Sequence, residues 1–307
     1  MKKDFITIKE LSNQEIESVF SLAKELKKDR LKYFTALKGK TVALSFQKPS
    51  NRTRVSFEVG VFQLGGHTIY LKPEDISLGV RESVKDVAKT LSRYLDAIVV
   101  RTFAHEIVLE LAKYSSIPVI NGLSDLLHPC QALSDVFTIK EKLGRLNNVT
   151  LTYVGDGNNV CHSLMYAAAK TGMNIKIATP KRYGPNKEIL ESALDIAKKS
   201  GSKILLFNDP NEGVKDSDVV YTDVWASMGK EKEAWKRKMI FGRYQINKKL
   251  LSLAKPSVLV MHCLPAHRGL EITDEVMDSP NYIVFDQAEN RLHVQKAILL
   301  MLLGGIK

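Results

Sequence analysis

Phe46-Gln47-Lys48-Pro49-Ser50-Asn51-Arg52-Thr53-Arg54-Val55-Ser56-Phe57 links a short β-rich run to a helical pattern. The run, Thr41 to Phe46, ends in a turn at Pro49. Ser50 to Arg54 then open a helix expected over Thr53–Leu64. A strand that passes straight into a helix is the repeating unit of a parallel α/β sheet. The same junction aims backbone N–H groups, two hydroxyls and the guanidinium groups of Arg52 and Arg54 at one point, which suits a phosphate. Taken alone, such a cluster serves equally as a capped helix start with solvated arginines.

Working outward, the strand–helix alternation continues on both sides. Ser12 and Glu15 form a capping-box pattern, followed by Ile16, Val19, Phe20, Ala23 and Leu26 at helical spacing. Thr41–Phe46, Thr68–Leu71, Ala97–Val100 and Pro118–Ile120 read as buried strands, with helices expected at Thr53–Leu64, Val84–Tyr94 and Glu106–Lys113. After a long helix, Gln131–Leu143, and a turn from Gly144 to Asn148, the pattern restarts. Strands are expected at Thr150–Val154, Ile175–Ala178, Ile204–Phe207, Val219–Tyr221, Val258–Met261 and Ile283–Phe285, and a last helix at Arg291–Leu303. The fold class is therefore α/β, with two domains, each a mainly parallel sheet flanked by helices. A functional cleft between the domains is expected.

The 307 residues suffice for two domains of ordinary size. A hydrophobic fraction of 44% and a charged fraction of 26% describe an ordinary globular chain. The longest apolar run, Ala297 to Leu303, falls far short of the ~20 residues that span a bilayer. No apolar segment of signal-peptide type follows the two N-terminal lysines, and three cysteines make no disulfide framework. A cytoplasmic protein without a membrane partner is expected. The net charge of +11 raises nucleic-acid binding as a different class of function. Its lysines, however, are scattered among acids, as in Leu22 to Arg30, and no aromatic residues interleave with a basic stripe. No nucleic-acid partner is expected.

Val149 to Val160, VTLTYVGDGNNV, is a strand followed by Gly155-x-Gly157 and a helix start, similar to a dinucleotide fingerprint. The third glycine position holds Val160, and no acidic residue ends the next strand, where Thr179-Pro180 stands. No nicotinamide cofactor is expected. Asn158 and Asn159 suit the binding of a small polar ligand.

Three further segments complete the pattern: His128-Pro129-Cys130-Gln131, Asp223-Val224-Trp225-Ala226-Ser227-Met228-Gly229 and His262-Cys263-Leu264-Pro265. In this order and spacing they resemble the aspartate/ornithine transcarbamoylases over nearly the whole chain. The resemblance implies transfer of the carbamoyl group of carbamoyl phosphate to the δ-amine of L-ornithine, giving L-citrulline and phosphate in arginine synthesis. Another amine, such as putrescine or N-acetylornithine, is the alternative acceptor. It also implies a carbamoyl phosphate-binding domain over residues 1–132, completed by a C-terminal helix over 291–307, and an ornithine-binding domain over 133–290. A homotrimer, or an assembly of trimers, is implied as well.

By the same resemblance, Ser50, Asn51, Arg52 and Thr53 hold the phosphate, with Asn51 standing where threonine is usual. Arg101 and His128 polarise the carbonyl with help from Thr53, Gln131 accepts from the carbamoyl NH2, and Arg291 adds a phosphate contact. Ser77 comes from a neighbouring subunit's loop, Glu74 to Gly79, where many relatives have glutamine or histidine. Cys263 and Leu264 also face carbamoyl phosphate. Asp223 pairs with the α-ammonium of ornithine, and Asn159, Ser227 and the N–H of Met228 serve its amino-acid end. The family places the Cys263 thiol near the attacking amine, which must lose its proton from a pKa near ~10. A small buried cysteine is the plain alternative. His262 beside Cys263, and Cys161 beside His162, lack the spacing of a structural zinc site. No metal and no organic cofactor are expected, since carbamoyl phosphate is already activated.

Overall fold

A computed structural model of the chain describes residues 4–76, 82–226 and 233–304. It divides into two compact units, Met1–Phe137 with Glu289–Lys307, and Thr138–Ala288.

The first unit holds a parallel sheet in the order β2-β1-β3-β4. These strands are β1 (Thr41–Phe46), β2 (His67–Leu71), β3 (Ala97–Arg101) and β4 (Val119–Leu123). The helices are α1 (Asn13–Lys28), α2 (Asn51–Gln63), the short α3 (Pro73–Ile76), α4 (Val84–Leu91), α5 (His105–Tyr114) and the first half of α6 (Pro129–Leu143), which continues into the second unit at Thr138. Every residue of β3 is buried, as a strand covered on both faces requires. The capping box of α1 is present in full: the Ser12 hydroxyl accepts from the Glu15 N–H, and the Glu15 carboxylate accepts from the Ser12 N–H. The five apolar residues that define the stripe of α1 are all buried.

The second unit holds a parallel sheet in the order β7-β6-β5-β8-β9. Its strands are β5 (Thr150–Val154), β6 (Asn174–Ala178), β7 (Ile204–Phe207), β8 (Val219–Thr222) and β9 (Leu259–His262). Between them run α7 (Asn159–Thr171), α8 (Lys187–Ser200), α9 (Pro210–Val214), α10 (Ala234–Phe241) and α11 (Lys248–Leu251); α12 (Asp274–Met277) follows β9, and α13 (Val284–Leu303) starts here but belongs to the first unit from Glu289 onward. Strand order reverses at β5, so β5 and β8 end at the point where open α/β sheets place ligands.

One expected strand is absent. Ile283–Phe285 does not extend the sheet: Tyr282 makes a single bridge with Val260, and α13 starts at Val284, earlier than the expected Arg291. The reason is burial. Ile283 and Val284 are buried but Phe285 is 77% exposed, so the apolar triplet never had two covered faces. The Gln287 N–H instead donates to the Ile283 carbonyl and starts the helix. Among the described residues, no helix is long and apolar enough to cross a membrane.

Candidate active site

In the first unit, β1 delivers the chain to α2 with Ser50 as N-cap, its hydroxyl accepting from the Thr53 N–H at 3.2 Å. Asn51 and Arg52 form the first turn of α2, whose N–H groups a helix cannot satisfy from within. Thr53 is buried, and its hydroxyl accepts from Arg291 Nη2 at 2.6 Å. Arg291 thus reaches from α13 to the start of α2, across 238 positions of sequence.

Arg54 departs from the expectation that both guanidinium groups converge. Its Nε donates to Glu58 at 2.9 Å, and its guanidinium lies 3.8 Å over the Tyr70 ring. A carboxylate one helical turn away and an adjacent aromatic face hold it along α2.

Arg101 ends β3, where the Gln47 N–H donates to its carbonyl at 2.7 Å. The Gln47 side chain accepts from the Thr102 hydroxyl, which ties the ends of β1 and β3 together. His128 directly precedes α6 and is buried. Burial, followed by the guanidinium charges of Arg291, Arg101 and Arg52, holds its imidazole well below the usual range. Three cations therefore converge on one neutral ring, a setting for a dianion and a polarisable carbonyl. Gln131, in the first turn of α6, is buried; its Nε2 donates to Asp135 at 2.8 Å, while its buried Oε1 has no hydrogen-bond partner among the described residues. Cys130 is packing: burial pushes its thiol up to about 12.

In the second unit, the Gly155-Asp156-Gly157 turn follows β5. Gly155 adopts φ +143°, and a Cβ on Gly157 would stand 2.4 Å from the backbone at Gly184 and Pro185. Backbone conformation at Gly155 and close chain approach at Gly157, rather than a pyrophosphate, account for these glycines. Asn158 caps α7, accepting from the N–H groups of Val160 and Cys161, and its Nδ2 donates to Asp223 at 2.7 Å. Asn159 lies in the first turn, half-buried. Asp223 follows β8; its other oxygen accepts from the Val224 N–H at 2.8 Å and from the Cys263 thiol at 2.9 Å. The thiol is a donor here, not a base.

Cys263 and Leu264 follow β9, and Leu264 sits at φ 57° ahead of a cis peptide bond to Pro265. A branched side chain in the left-handed region is costly. His262 holds the turn: its Nδ1 accepts from the Leu264 N–H at 2.9 Å, and its Nε2 faces Glu271 at 3.3 Å. Asp223, His262 and Cys263 each place one potential metal-ligand atom within 4.8 Å of the others. Both His262 nitrogens are committed to hydrogen bonds, so the geometry is that of a polar network. Ser77, Ser227 and Met228 lie outside the described residues.

Domain models of one family cover the chain: "Aspartate/ornithine carbamoyltransferase, carbamoyl-P binding domain" over residues 3–141, and "Aspartate/ornithine carbamoyltransferase, Asp/Orn binding domain" over residues 147–302. This chain belongs to the aspartate/ornithine carbamoyltransferase family. The ornithine carbamoyltransferase of Thermococcus kodakarensis is 52% identical over 99% of this chain and 98% of its own length. That of Bacillus subtilis is 53% identical over 98% of this chain and 94% of its own length. The solved structure of ornithine carbamoyltransferase from Pyrococcus furiosus superimposes with a TM-score of 0.96, at 52% identity over 99% of this chain and 98% of that one. Asn158, a candidate ligand contact by sequence, instead caps α7 and holds Asp223. Two supporting residues have little sequence signal: Asp135 has only its spacing from Gln131, and Gln47 appears only as part of a turn.

Proposed function

We propose that the chain transfers the carbamoyl group of carbamoyl phosphate to the δ-amine of L-ornithine, releasing L-citrulline and phosphate in arginine biosynthesis. The observation that carries this reading is the convergence of Arg52, Arg101 and Arg291, the last bonded to Thr53, on the neutral, buried His128. The first turn of α2 with Ser50, Asn51, Arg52 and Arg291 binds the phosphate dianion. Arg101 and His128 donate to the carbonyl oxygen as negative charge develops there, and Gln131 accepts from the NH2 group. Asp223 pairs with the α-ammonium of ornithine, and Asn159, Ser227 and the Met228 N–H take the amino-acid end.

When the α-ammonium binds Asp223, it competes for the oxygen that now holds the Cys263 thiol. That frees Cys263 to stabilise the amine as it loses its proton. The amine then attacks the carbonyl carbon, the C–O bond to phosphate breaks with its electron pair leaving on phosphate, and that phosphate takes the proton the attacking nitrogen gives up. Leu264, at the Cys263 turn, faces carbamoyl phosphate. Positioning and electrostatics drive the step without an organic cofactor or a metal. The working form is a cytoplasmic homotrimer, or an assembly of trimers, in which Ser77 reaches a neighbour's site.

Phosphate release measured with a panel of amines tests the acceptor. L-ornithine should exceed putrescine and N-acetylornithine by at least ~10²-fold in kcat/KM, because N-acetylornithine has no α-ammonium to pair with Asp223 and putrescine has no carboxylate for the groups that take the amino-acid end. Equal rates with putrescine would assign the chain another amine.

A further inference from the structure

We propose that Asp135 is a specificity-determining positioning residue, which fixes the amide of Gln131 so that the site reads the NH2 group of carbamoyl phosphate and rejects acyl phosphates without one. The inference rests on the carbamoyl phosphate reading above and extends it to a residue one helical turn behind the ligand.

A glutamine amide has two ends of similar shape and opposite hydrogen-bonding character, and rotation by about 180° exchanges them. With Oε1 forward, Gln131 accepts from a carbamoyl NH2; with Nε2 forward, it sets a donor against a donor. Isolated glutamine has no reason to choose. Here the choice is made by a carboxylate, which when ionised only accepts. Asp135 lies four positions on along α6, on the same helix face, and takes the Gln131 Nε2 hydrogen bond at 2.8 Å. Both side chains are buried, so no bulk water replaces this contact. The opposite end of the amide, Oε1, is buried and has no hydrogen-bond partner among the described residues. A buried acceptor held without a partner marks the place of a donor supplied by a ligand. Reversing the amide would lose a charge-assisted hydrogen bond and turn an amide oxygen toward a carboxylate.

The substrate feature at stake is small. Acetyl phosphate shares the phosphate, the bridging oxygen and the carbonyl, and has CH3 where carbamoyl phosphate has NH2. Only an acceptor aimed at that position separates them, and its worth there depends on Asp135.

The test compares the KM for carbamoyl phosphate with the inhibition constant of acetyl phosphate in four enzymes: wild type, Gln131→Ala, Asp135→Asn and the double variant. Asp135→Asn keeps size and shape but no longer forces the amide, so the KM for carbamoyl phosphate should rise about 10-fold while acetyl phosphate binds as before. In the Gln131→Ala background, Asp135→Asn should change neither constant further. Equal weakening of both ligands, or effects that multiply in the double variant, would make Asp135 a general structural residue and overturn the proposal. An unchanged KM in Gln131→Ala alone would instead overturn the assignment of Gln131 to the NH2 group. Gln131→Glu supplies a test that leaves Asp135 intact, should Asp135→Asn fail to fold. Two carboxylates at this distance share a proton, so its KM should climb between pH 6 and 9 relative to wild type as that proton leaves. A KM ratio independent of pH would show that the two side chains do not touch, and the proposal fails.

Discussion

His128 is the side chain whose environment says most about the reaction. Its burial and the guanidiniums of Arg291, Arg101 and Arg52 disfavour the imidazolium, so the ring stays neutral down to well below pH 6.5. A neutral N–H polarises a carbonyl without competing with the arginines for the phosphate dianion. His128→Ala should lower kcat by about 10²–10³-fold, the usual cost of losing one donor to a developing oxyanion. The sign of the pH effect follows from the same shift. Below about pH 6.5 an unfolded histidine takes a proton that the native ring refuses, so this group makes stability fall as pH drops. Catalysis has no such dependence on His128, and any acid limb in the kcat profile should persist in His128→Ala. Disappearance of that limb in the variant would show that a protonating His128 limits the wild type. Arg54 gives the opposite lesson. Sequence spacing placed it with Arg52, yet Glu58 and Tyr70, neighbours created by the helix and the adjacent strand, claim it.

At the scale of elements, α13 makes the first unit's site possible, and its anchoring is unusual. Lys296, fully buried, donates to the Arg30 carbonyl at 2.5 Å and to Gln63 Oε1 at 2.9 Å. Its stem passes Gly60, where a Cβ would come within 3.2 Å of Lys296 Cγ. Further along the same helix, Asn290 accepts from Lys27 and Glu289 from Arg30. These contacts seat α13 on α1 and α2 and deliver Arg291 to Thr53. Burial, with the Arg30 charge adding to it, pushes the Lys296 ammonium from 10.5 down to about 8. Between pH 8 and 10.5 the unfolded chain therefore holds a proton that the native chain has released, and stability from this group rises with pH across that window. The gain is at most about 3–4 kcal/mol. Urea unfolding at pH 7.5 and 10 should show it as a difference between wild type and Lys296→Met, since all other groups titrate alike in both. Equal pH dependence would mean that Lys296 keeps an ordinary ammonium. None of this anchoring was legible in the sequence. Periodicity and capping signals located the strands and helices, because they act within a few residues; the ends of α13 and the false strand at Ile283–Phe285 depended on which faces the sheet covers. Motif residues such as Thr53 and His128 were legible as chemistry, but the Arg291–Thr53 contact joins positions that only tertiary structure makes neighbours.

At the scale of the whole molecule, the surface of α2 bears on assembly. The helix turns Thr53 and Phe57 inward, but Val55, Val59 and Phe62, spaced to share its outer face, are exposed, Phe62 to 68%. Ile69 is exposed on β2, the strand at the edge of the same sheet. Scattered apolar residues are ordinary on a surface, but a stripe along the helix that starts the phosphate site fits a second copy of this chain. A head-to-tail contact that closes makes a ring, which is the proposed trimer. Light scattering should give the wild type three times the 34.4 kDa of one chain, and Phe62→Asp should give monomers, since a carboxylate in an apolar contact is left unpaired. If each ring site borrows a neighbour's loop, Phe62→Asp should also lose activity while its isolated chain stays folded. Two inactive proteins, His128→Ala and a deletion of residues 74–79, should then regain activity when unfolded and refolded together. Random mixing completes roughly one quarter of the sites, because each needs an intact His128 from one chain and an intact loop from the next. A trimeric Phe62→Asp would move the interface elsewhere on the molecule. Failure of well-refolded mixtures to recover would show that each chain completes its own site.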